Sequence, residues 1–307
     1  MSNIFIVSNG WPSLELILMT QNSFKFLTLY SNYFLIRVVK RLALILGINL
    51  YFKNDQYIHV KKVLLFDTKI LKIVFPFLKK KFPNAIFYLF ITNPITSEID
   101  LNFFRKNNFM LYTYSKSDAE KYGIKYFLHP IFMQKKITKK KIIYDFFFIG
   151  RDKGRYCALS NLIYKLENKG FKCFIKISLS PNFFLNMIKS IFKSNKHIIL
   201  DREISIKNYF EILNKSYCII EINKNTNFLT TRLMEAISYR KKLLTTCKDI
   251  VNHEMYPIYK NNIFIIEDLS TLNIIDLKKF ITKKIKINKN IDKYTFCKGW
   301  ISGILND

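Results

Sequence analysis

The segment 144–155 most constrains how this chain can fold, because an apolar run ends there in a glycine and gives way to three cations. An aromatic-rich run of this length, bounded by Gly150, fits a strand buried on both faces of a parallel sheet. Apolar residues then recur at helical spacing over 156–168, and Gly170 stands where a helix commonly ends in a left-handed residue. With a second strand expected over 171–177, the segment predicts a βαβ unit.

The first turn of this unit carries Arg151, Lys153 and Arg155. A cationic turn at the carboxyl end of a parallel strand, ahead of a helix N-terminus, is where open α/β sheets bind phosphate groups. Gly150 and Gly154 let the main chain come close to a ligand, and a guanidinium can bind two phosphate oxygens at once. A solvated charged turn in a lysine-rich protein is the alternative that this turn alone leaves open.

Two stretches resemble a known family of enzymes. The residues at 145–155, and Leu-Thr-Thr-Arg-Leu-Met-Glu-Ala at 229–236, are similar to bacterial lipopolysaccharide and capsule glycosyltransferases of the two-Rossmann (GT-B) type. The similarity is concentrated in residues 110–250. Size and composition also resemble those of a presumed rhamnosyltransferase of lipopolysaccharide core biosynthesis.

The resemblance implies both a fold and an activity. The fold is α/β, with two Rossmann-like domains (GT-B) facing a cleft. The activity is glycosyl transfer from a nucleotide-sugar donor to a lipopolysaccharide core or related surface glycan, with rhamnose as a candidate sugar. The nucleotide sugar is then a co-substrate, and no cofactor is expected.

The second stretch supplies the other half of the predicted donor site. A helix is expected over 229–240, so Thr230, Thr231 and Arg232 occupy its N-terminus, where main-chain amides and the helix dipole favour a diphosphate. The resemblance implies that Glu235, one turn later, accepts hydrogen bonds from ribose hydroxyls. The alternative for Glu235 is an ordinary helical carboxylate paired with a cation.

The length of 307 residues suits two domains, each with its own core. We expect an acceptor-side domain over 1–134, a basic linker over 135–144, a donor-binding domain over 145–290 and a tail over 291–307 that crosses back to the first domain. The linker is indicated by five lysines with little apolar content between residues 134 and 141.

Helix signals occur in both predicted domains. Ser115 is placed to cap a short helix that ends at Gly123, and Ser205 is placed to cap another. A final basic helix is expected over 272–287.

The first domain offers fewer residues with chemical potential. Asp67 follows a short buried strand and is either the general base that deprotonates an acceptor hydroxyl or a helix N-cap. Glu98 and His129 are further candidates for the base. Asn9 and Gly10 follow the first strand, in a turn that either admits a sugar or phosphate or is simply tight.

The chain contains no Asp-x-Asp motif, so the usual ligands of a metal-dependent glycosyltransferase are missing from its sequence. We therefore expect the cations of the two turns to stabilise the leaving nucleoside diphosphate without a metal. Glu203 and Glu211 have the spacing seen in many retaining enzymes but lie outside the predicted donor helix, whereas Glu221 and Glu235 are fourteen residues apart. This departure favours inversion.

A formal charge of +28 favours an anionic partner. The excess of positive charge is mostly lysine, and it accompanies abundant Asn, Ile, Phe and Tyr. This pattern indicates that part of the charge comes from compositional drift. Segment 33–47 combines three cations with apolar surface and is either an interfacial membrane helix or a core helix with a narrow exposed stripe. We expect a nucleotide sugar, a lipid-linked glycan acceptor and the anionic inner-membrane surface as partners, and no nucleic acid.

Five widely spaced cysteines without a C-x-x-C motif indicate reduced thiols, and no signal peptide or transmembrane run is recognised. We therefore expect a cytoplasmic protein, peripheral on the cytoplasmic face of the inner membrane. Two rival functions remain open at this point: a basic nucleic-acid-binding protein, and a non-catalytic membrane-surface scaffold of envelope assembly.

Overall fold

A computed structural model of the chain describes eleven stretches. These are residues 4–8, 25–28, 59–67, 70–93, 95, 101–130, 141–178, 204–222, 232–267, 272–286 and 299–306. The chain divides into two compact units. The first unit comprises Met1–Phe132 with Tyr294–Asp307, and the second comprises Met133–Lys293.

The first unit alternates strands and helices along the described chain. Its strands are β1 (Ile4–Ser8), β2 (Lys25–Thr28), β3 (Lys62–Phe66), β4 (Ile86–Ile91), β5 (Met110–Thr113) and β6 (Lys125–Tyr126). Its first helices are α1 (Leu71–Lys81), α2 (Leu101–Lys106) and α3 (Lys116–Tyr122). The described strands form one parallel sheet in the order β2-β1-β3-β4-β5-β6.

The strands of this sheet are apolar at successive positions because both of its faces are covered. Along β3, Val63 and Leu65 belong to a core shared with α1 and α2, whereas Leu64 and Phe66 belong to a second core on the opposite face. Side chains alternate between the faces of a strand, so a strand buried on both faces needs apolar residues throughout.

The second unit repeats this construction. Its strands are β7 (Tyr144–Arg151), β8 (Cys173–Ser178), β9 (Ser216–Glu221), β10 (Lys242–Thr245) and β11 (Ile263–Ile265). Its helices are α4 (Tyr156–Glu167), α5 (Ile206–Asn214), α6 (Arg232–Ser238), α7 (Tyr256–Tyr259) and α8 (Ile274–Thr282), with 3-10 turns at Lys248–Asn252 and Lys260–Asn262. The described strands are all parallel, in the order β11-β10-β9-β7-β8.

The chain returns to the first unit through helix α9 (Ile301–Asn306). Trp300 is 1% exposed, and its indole N–H donates to the carbonyl oxygen of Leu128 at 2.5 Å. The ammonium group of Lys62, at the start of β3, donates to the carbonyl oxygen of Leu305 at 2.7 Å. Helix α9 therefore closes one face of the first sheet.

The prediction of an α/β fold with two Rossmann-like domains is confirmed by the two parallel sheets and their alternating helices. The predicted βαβ unit is present as β7, α4 and β8, and Gly170 has a φ of 82°. The two serine caps are present as well. Ser115 accepts from the amide of Asp118 at 3.2 Å, and Ser205 accepts from the amide of Asn208 at 3.2 Å.

One predicted boundary is wrong. The last helix was expected over 272–287, but α8 ends at Thr282. The ammonium group of Lys242 donates to the carbonyl oxygens of Phe280 and Ile281 at the end of the helix. Beyond it, the main chain of Lys286 exchanges two hydrogen bonds with the side-chain amide of Asn262. These tertiary partners replace the last turn.

None of the helices within the described residues is long and apolar enough to cross a membrane. The predicted amphipathic segment 33–47 lies outside the described residues.

Candidate functional site

The carboxyl ends of β7 and β9 form the switch point of the second sheet. Strand β7 pairs with β8 on one side and with β9 on the other, so the chain leaves β7 toward one side and later returns on the opposite side. Open α/β sheets bind ligands in the crevice at such a point, beyond the carboxyl ends of the strands. Of the three cations predicted to bind phosphate, Arg151 is the last residue of β7, and Lys153 and Arg155 lie in the turn after it.

The turn after β7 is held from the inside by Asp152. This residue is 9% exposed, and its carboxylate accepts a hydrogen bond from the amide of Tyr156 at 2.7 Å. Its own amide donates to the carbonyl oxygen of Ser178 at 2.9 Å. Lys153 and Gly154 both have left-handed backbone conformations, with φ of 45° and 74°. Asp152 therefore ties the turn to the start of α4 and the end of β8.

Arg155 points into the protein. Its guanidinium donates to the carbonyl oxygens of Arg151 at 2.7 Å, Ile222 at 3.1 Å and Asp152 at 3.2 Å. The guanidinium carbon also lies 5.1 Å from the ring centroid of Phe148. Burial, and then the neighbouring charge of Arg232, lower the pKa of Arg155. Arg155 thus joins the chain after β9 to the turn after β7.

Arg232, the first residue of α6, is the second inward-facing cation. Its guanidinium donates to the carbonyl oxygen of Ile149, and its carbon lies 4.9 Å from the ring centroid of Phe148. Phe148 therefore lies against two guanidinium groups. A Cβ at Gly150 would lie 3.2 Å from Nη2 of Arg232, so a side chain there would crowd this contact. The Arg232 guanidinium therefore occupies the space that a side chain at Gly150, the second-last residue of β7, would need.

A tyrosine and a glutamate surround Arg232. The hydroxyl of Tyr209, on α5, donates to Oε2 of Glu235 at 2.9 Å and accepts from Nη1 of Arg232 at 3.3 Å. Oε2 of Glu235 lies 3.8 Å from Nη1 of Arg232, and the two side chains are only 9% and 13% exposed. Burial opposes the charge of Arg232, but Tyr209, Glu235 and Glu221 outweigh it and raise its pKa.

Glu221 ends β9 at the same edge of the sheet. It is 1% exposed, and its Oε2 accepts a hydrogen bond from the hydroxyl of Thr245 at 2.8 Å. Its charge favours the protonated forms of Arg155 and Arg232. A carboxylate at this depth balances part of the charge of the two inward-facing guanidiniums.

The four described cations of this edge therefore divide into two pairs. Arg155 and Arg232 face inward, whereas Arg151 and Lys153 are exposed. Among the residues that the structure describes, neither Arg151 nor Lys153 has a carboxylate within ion-pair distance. Partial burial, and then the charges of Arg155 and Arg151, lower the pKa of Lys153. The exposed pair thus carries charge that an anion would relieve.

Several predicted residues cannot be placed. Thr230 and Thr231, and Asn9, Gly10 and Glu98 of the first unit, lie outside the described residues.

Asp67 lies at the corresponding switch point of the first sheet. Strand β1 pairs with β2 on one side and β3 on the other, and Asp67 follows β3. One carboxylate oxygen accepts from the amide of Thr92, at 2.6 Å, and from its hydroxyl, and the other accepts from the side-chain amide of Asn93 at 3.0 Å. Helix α1 has Ile70 at its N-cap, so Asp67 is not the cap of that helix.

His129 is packed among aromatic rings. It is 3% exposed, and its ring centroid lies 4.0 Å from that of Tyr114 and 5.7 Å from that of Phe90. This environment is that of a core residue.

The described residues contain no group of three or more His, Cys, Asp or Glu side chains placed to hold a metal ion. Four cysteines within the described ranges, Cys157, Cys173, Cys218 and Cys247, are free thiols.

Sequence comparison finds no protein-family model and no curated protein that matches this chain. Structural comparison finds similar folds. An S. aureus MnaA–UDP complex has a TM-score of 0.49 and 11% identity, over 98% of this chain and 93% of that one. A proposed UDP-N-acetylglucosamine 2-epimerase from Listeria monocytogenes gives 0.46 and 10%, over 98% and 93%.

A glycosylation-associated protein (Gap123) complex from Streptococcus agalactiae gives a TM-score of 0.43 and 14% identity, over 80% of this chain and 54% of that one. At these scores and identities the likenesses carry no argument about activity or ligand. Size and composition indicate a similarity to the lipopolysaccharide core protein RfaS, and this similarity stays a prediction. The function therefore has to be argued from the geometry of the site.

Proposed function

We propose that the second unit binds the diphosphate of a nucleotide sugar at the carboxyl ends of β7 and β9, and that the protein is a glycosyltransferase. The observation that carries the proposal is the exposed pair Arg151 and Lys153 at the switch point of a parallel sheet. Their turn is fixed from within by Asp152 and Arg155, so the exposed cations are presented on a rigid support.

The exposed cations suit a diphosphate better than the start of α4 does. The carboxylate of Asp152 accepts from the amide of Tyr156 and places negative charge at that helix start, where it competes with a phosphate. The ligand's charge is then met by the Arg151 guanidinium and the Lys153 ammonium group. During transfer, negative charge grows on the departing nucleoside diphosphate, and fixed cations stabilise it most where it grows.

The finer assignments rest on the family resemblance. We propose that the acceptor is a lipid-linked glycan of the lipopolysaccharide core or a related surface glycan, with rhamnose as a candidate sugar. Asp67 is the proposed base for the acceptor hydroxyl, and transfer is proposed to be metal-independent and inverting. The proposed location is the cytoplasmic face of the inner membrane, whose anionic surface matches the formal charge of +28.

Thermal denaturation with a panel of nucleoside diphosphates and nucleotide sugars tests this function. A ligand present at a hundred times its Kd stabilises the folded state by about 2.7 kcal/mol and raises the Tm. We expect one nucleoside diphosphate class to do so, and Arg151→Gln to reduce the shift. Arg105→Gln, at an exposed arginine of the first unit, is the control that keeps it. Absence of any shift in folded wild-type protein would overturn the proposed function.

A donor identified in this way can then be used to test transfer. Incubation with a lipopolysaccharide core acceptor, followed by mass spectrometry, should show the mass of one added sugar and release of the nucleoside diphosphate. An acceptor of unchanged mass would remove the glycosyltransferase assignment. An intact donor would then leave a nucleotide-sugar-binding protein, whereas release of the nucleoside diphosphate with free sugar would indicate hydrolysis by water.

A further inference from the structure

We propose that Tyr209 and Glu235 are positioning residues that act through Arg232 on the phosphate end of the ligand. The inference rests on the proposed function, because it assigns residues to the same site. It departs from the role that the family resemblance implies for Glu235, which is to accept hydrogen bonds from ribose hydroxyls. Tyr209 has no role in that resemblance.

The contacts run from helix α5 to the last residues of β7. The Tyr209 hydroxyl lies 2.9 Å from Oε2 of Glu235 and 3.3 Å from Nη1 of Arg232. The other terminal nitrogen of Arg232 donates to the carbonyl oxygen of Ile149. Ile149 lies two residues before Arg151, and Arg151 lies two before Lys153. Arg232 therefore fixes the strand end from which the two exposed cations extend.

The tyrosine is itself rigidly placed. Its ring lies 5.4 Å from that of Phe147 and 5.0 Å from that of Phe210, both in edge-to-face contact. Phe147 is on β7. Tyr209 therefore contacts β7 directly through its ring and indirectly through Arg232. A side chain locked by packing on both sides is suited to hold a neighbour in one geometry.

The glutamate is occupied by this cluster. Oε2 of Glu235 accepts the Tyr209 hydroxyl and lies 3.8 Å from Nη1 of Arg232, within a side chain that is 9% exposed. Removing one charge of a buried ion pair leaves the other uncompensated, and that energetic cost falls on Arg232. Burial, and then the charge of Glu235, also raise the pKa of the Tyr209 hydroxyl, which keeps it a donor.

The two roles predict different ligand dependence. A ribose contact affects only ligands that contain a ribose. Positioning through Arg232 affects any ligand that uses the exposed cations, including inorganic pyrophosphate. Calorimetric titration with pyrophosphate, and with the nucleoside diphosphate that gives the largest thermal shift, separates the two.

We expect Tyr209→Phe and Glu235→Gln each to weaken pyrophosphate and the nucleoside diphosphate by the same factor, about tenfold. We also expect the double variant to lose little more than either single variant, because both act through one arginine. Tyr217→Phe is the matched control. It removes a hydroxyl that donates to the carbonyl oxygen of Lys283 at 3.0 Å, at the opposite end of β9, and should leave both affinities unchanged.

Weaker nucleoside diphosphate binding by Glu235→Gln with unchanged pyrophosphate binding would restore the ribose role and overturn the inference. Unchanged binding in Tyr209→Phe would overturn it for the tyrosine. Absence of binding of either ligand to the wild type would instead overturn the proposed function. The pattern of losses therefore tells the two failures apart.

Discussion

The two switch points of this molecule have the same topology and opposite chemistry. In both sheets the first described strand of the unit pairs with the second on one side and with the third on the other. At the first sheet the hydrogen bonds converge on a half-buried carboxylate, that of Asp67, which accepts from Thr92 and Asn93. At the second they start from two guanidiniums, Arg155 and Arg232, which donate to main-chain carbonyl oxygens of strand ends.

This difference separates what a fold supplies from what its side chains supply. Strand order brings the carboxyl ends of two strands together, and it does so equally in both units. Within the described residues, only the second unit then adds inward-facing arginines, and its Arg151 and Lys153 are exposed on a supported turn. The site for an anion is therefore a property of the second unit's sequence rather than of the shared topology.

The largest expected effect comes from removing a buried cation. Arg232→Met leaves Glu235 and Tyr209 without their charged partner, and we expect it to cost about 3–5 kcal/mol of the free energy of unfolding. Asp67 is only half-buried, so Asp67→Asn should lower the free energy of unfolding by less, about 1–2 kcal/mol.

The two tryptophans make this comparison measurable by unit. Trp11 and Trp300 both belong to the first unit, so tryptophan fluorescence in urea follows that unit and far-UV circular dichroism follows both. Arg232→Met should shift the dichroism transition more than the fluorescence transition, and Asp67→Asn should do the opposite. Arg151→Met is the control with an exposed guanidinium and should change neither by more than about 0.5 kcal/mol. Equal losses in Arg232→Met and Arg151→Met would contradict the division into two pairs.

The second effect depends on pH and also belongs to the second unit. Burial lowers the pKa of Lys242 to about 8, while an unfolded lysine keeps the ordinary value of about 10.4. At pH values between these two pKa values the unfolded state binds more protons than the folded state. The contribution of Lys242 to the free energy of unfolding therefore rises with pH. As pH rises from 8 to 10.5, the free energy of unfolding of the wild type should therefore increase relative to that of Lys242→Met, by up to about 3 kcal/mol.

Urea unfolding of both proteins across this pH range checks the prediction. Lys241, whose pKa burial also lowers to about 8, is present in both proteins and cancels in the difference. Lys242→Arg is the control, because a guanidinium stays charged throughout and should track the methionine variant in parallel. A constant difference between wild type and Lys242→Met would show that the lysine does not titrate in this window.

The smallest effect should be the same in both units. Ser115 and Ser205 each cap a helix through a 3.2 Å hydrogen bond from the amide three residues later. Replacing either serine by alanine should cost about 1 kcal/mol, and replacement by threonine should restore most of it. In urea unfolding, tryptophan fluorescence should detect the loss at Ser115, and circular dichroism should detect the losses at Ser115 and Ser205. A much larger loss in one unit would show that its cap does more than end a helix.

The sequence allowed prediction of whatever depends on neighbouring residues. The serine caps, the left-handed Gly170 and the βαβ unit all follow from spacing within one segment, and the structure confirms them. The alternative for Glu235, a helical carboxylate paired with a cation, is also local, because its partner Arg232 lies three residues earlier on the same helix.

The direction of an arginine could not be predicted in this way. Arg151 and Arg155 belong to the same predicted cationic turn, and their spacing does not indicate which of them points inward. Arg155 does so because its guanidinium donates to the carbonyl oxygen of Ile222, 67 residues further along the chain. The end of α8 also depends on a distant residue, Lys242. Asp152 has a local signal, because an aspartate just before a helix often accepts from an amide of its first turn, as Asp152 does from Tyr156.

The most direct measurement is the affinity for inorganic pyrophosphate in Arg151→Met, Lys153→Met and Asp67→Asn, by calorimetric titration. These variants remove one charge each, two at the second switch point and one at the first. We expect a loss of about tenfold or more for Arg151→Met and Lys153→Met, and an affinity within about twofold of wild type for Asp67→Asn. Equal affinity in all three variants, or a loss confined to Asp67→Asn, would contradict an anion site at the second switch point.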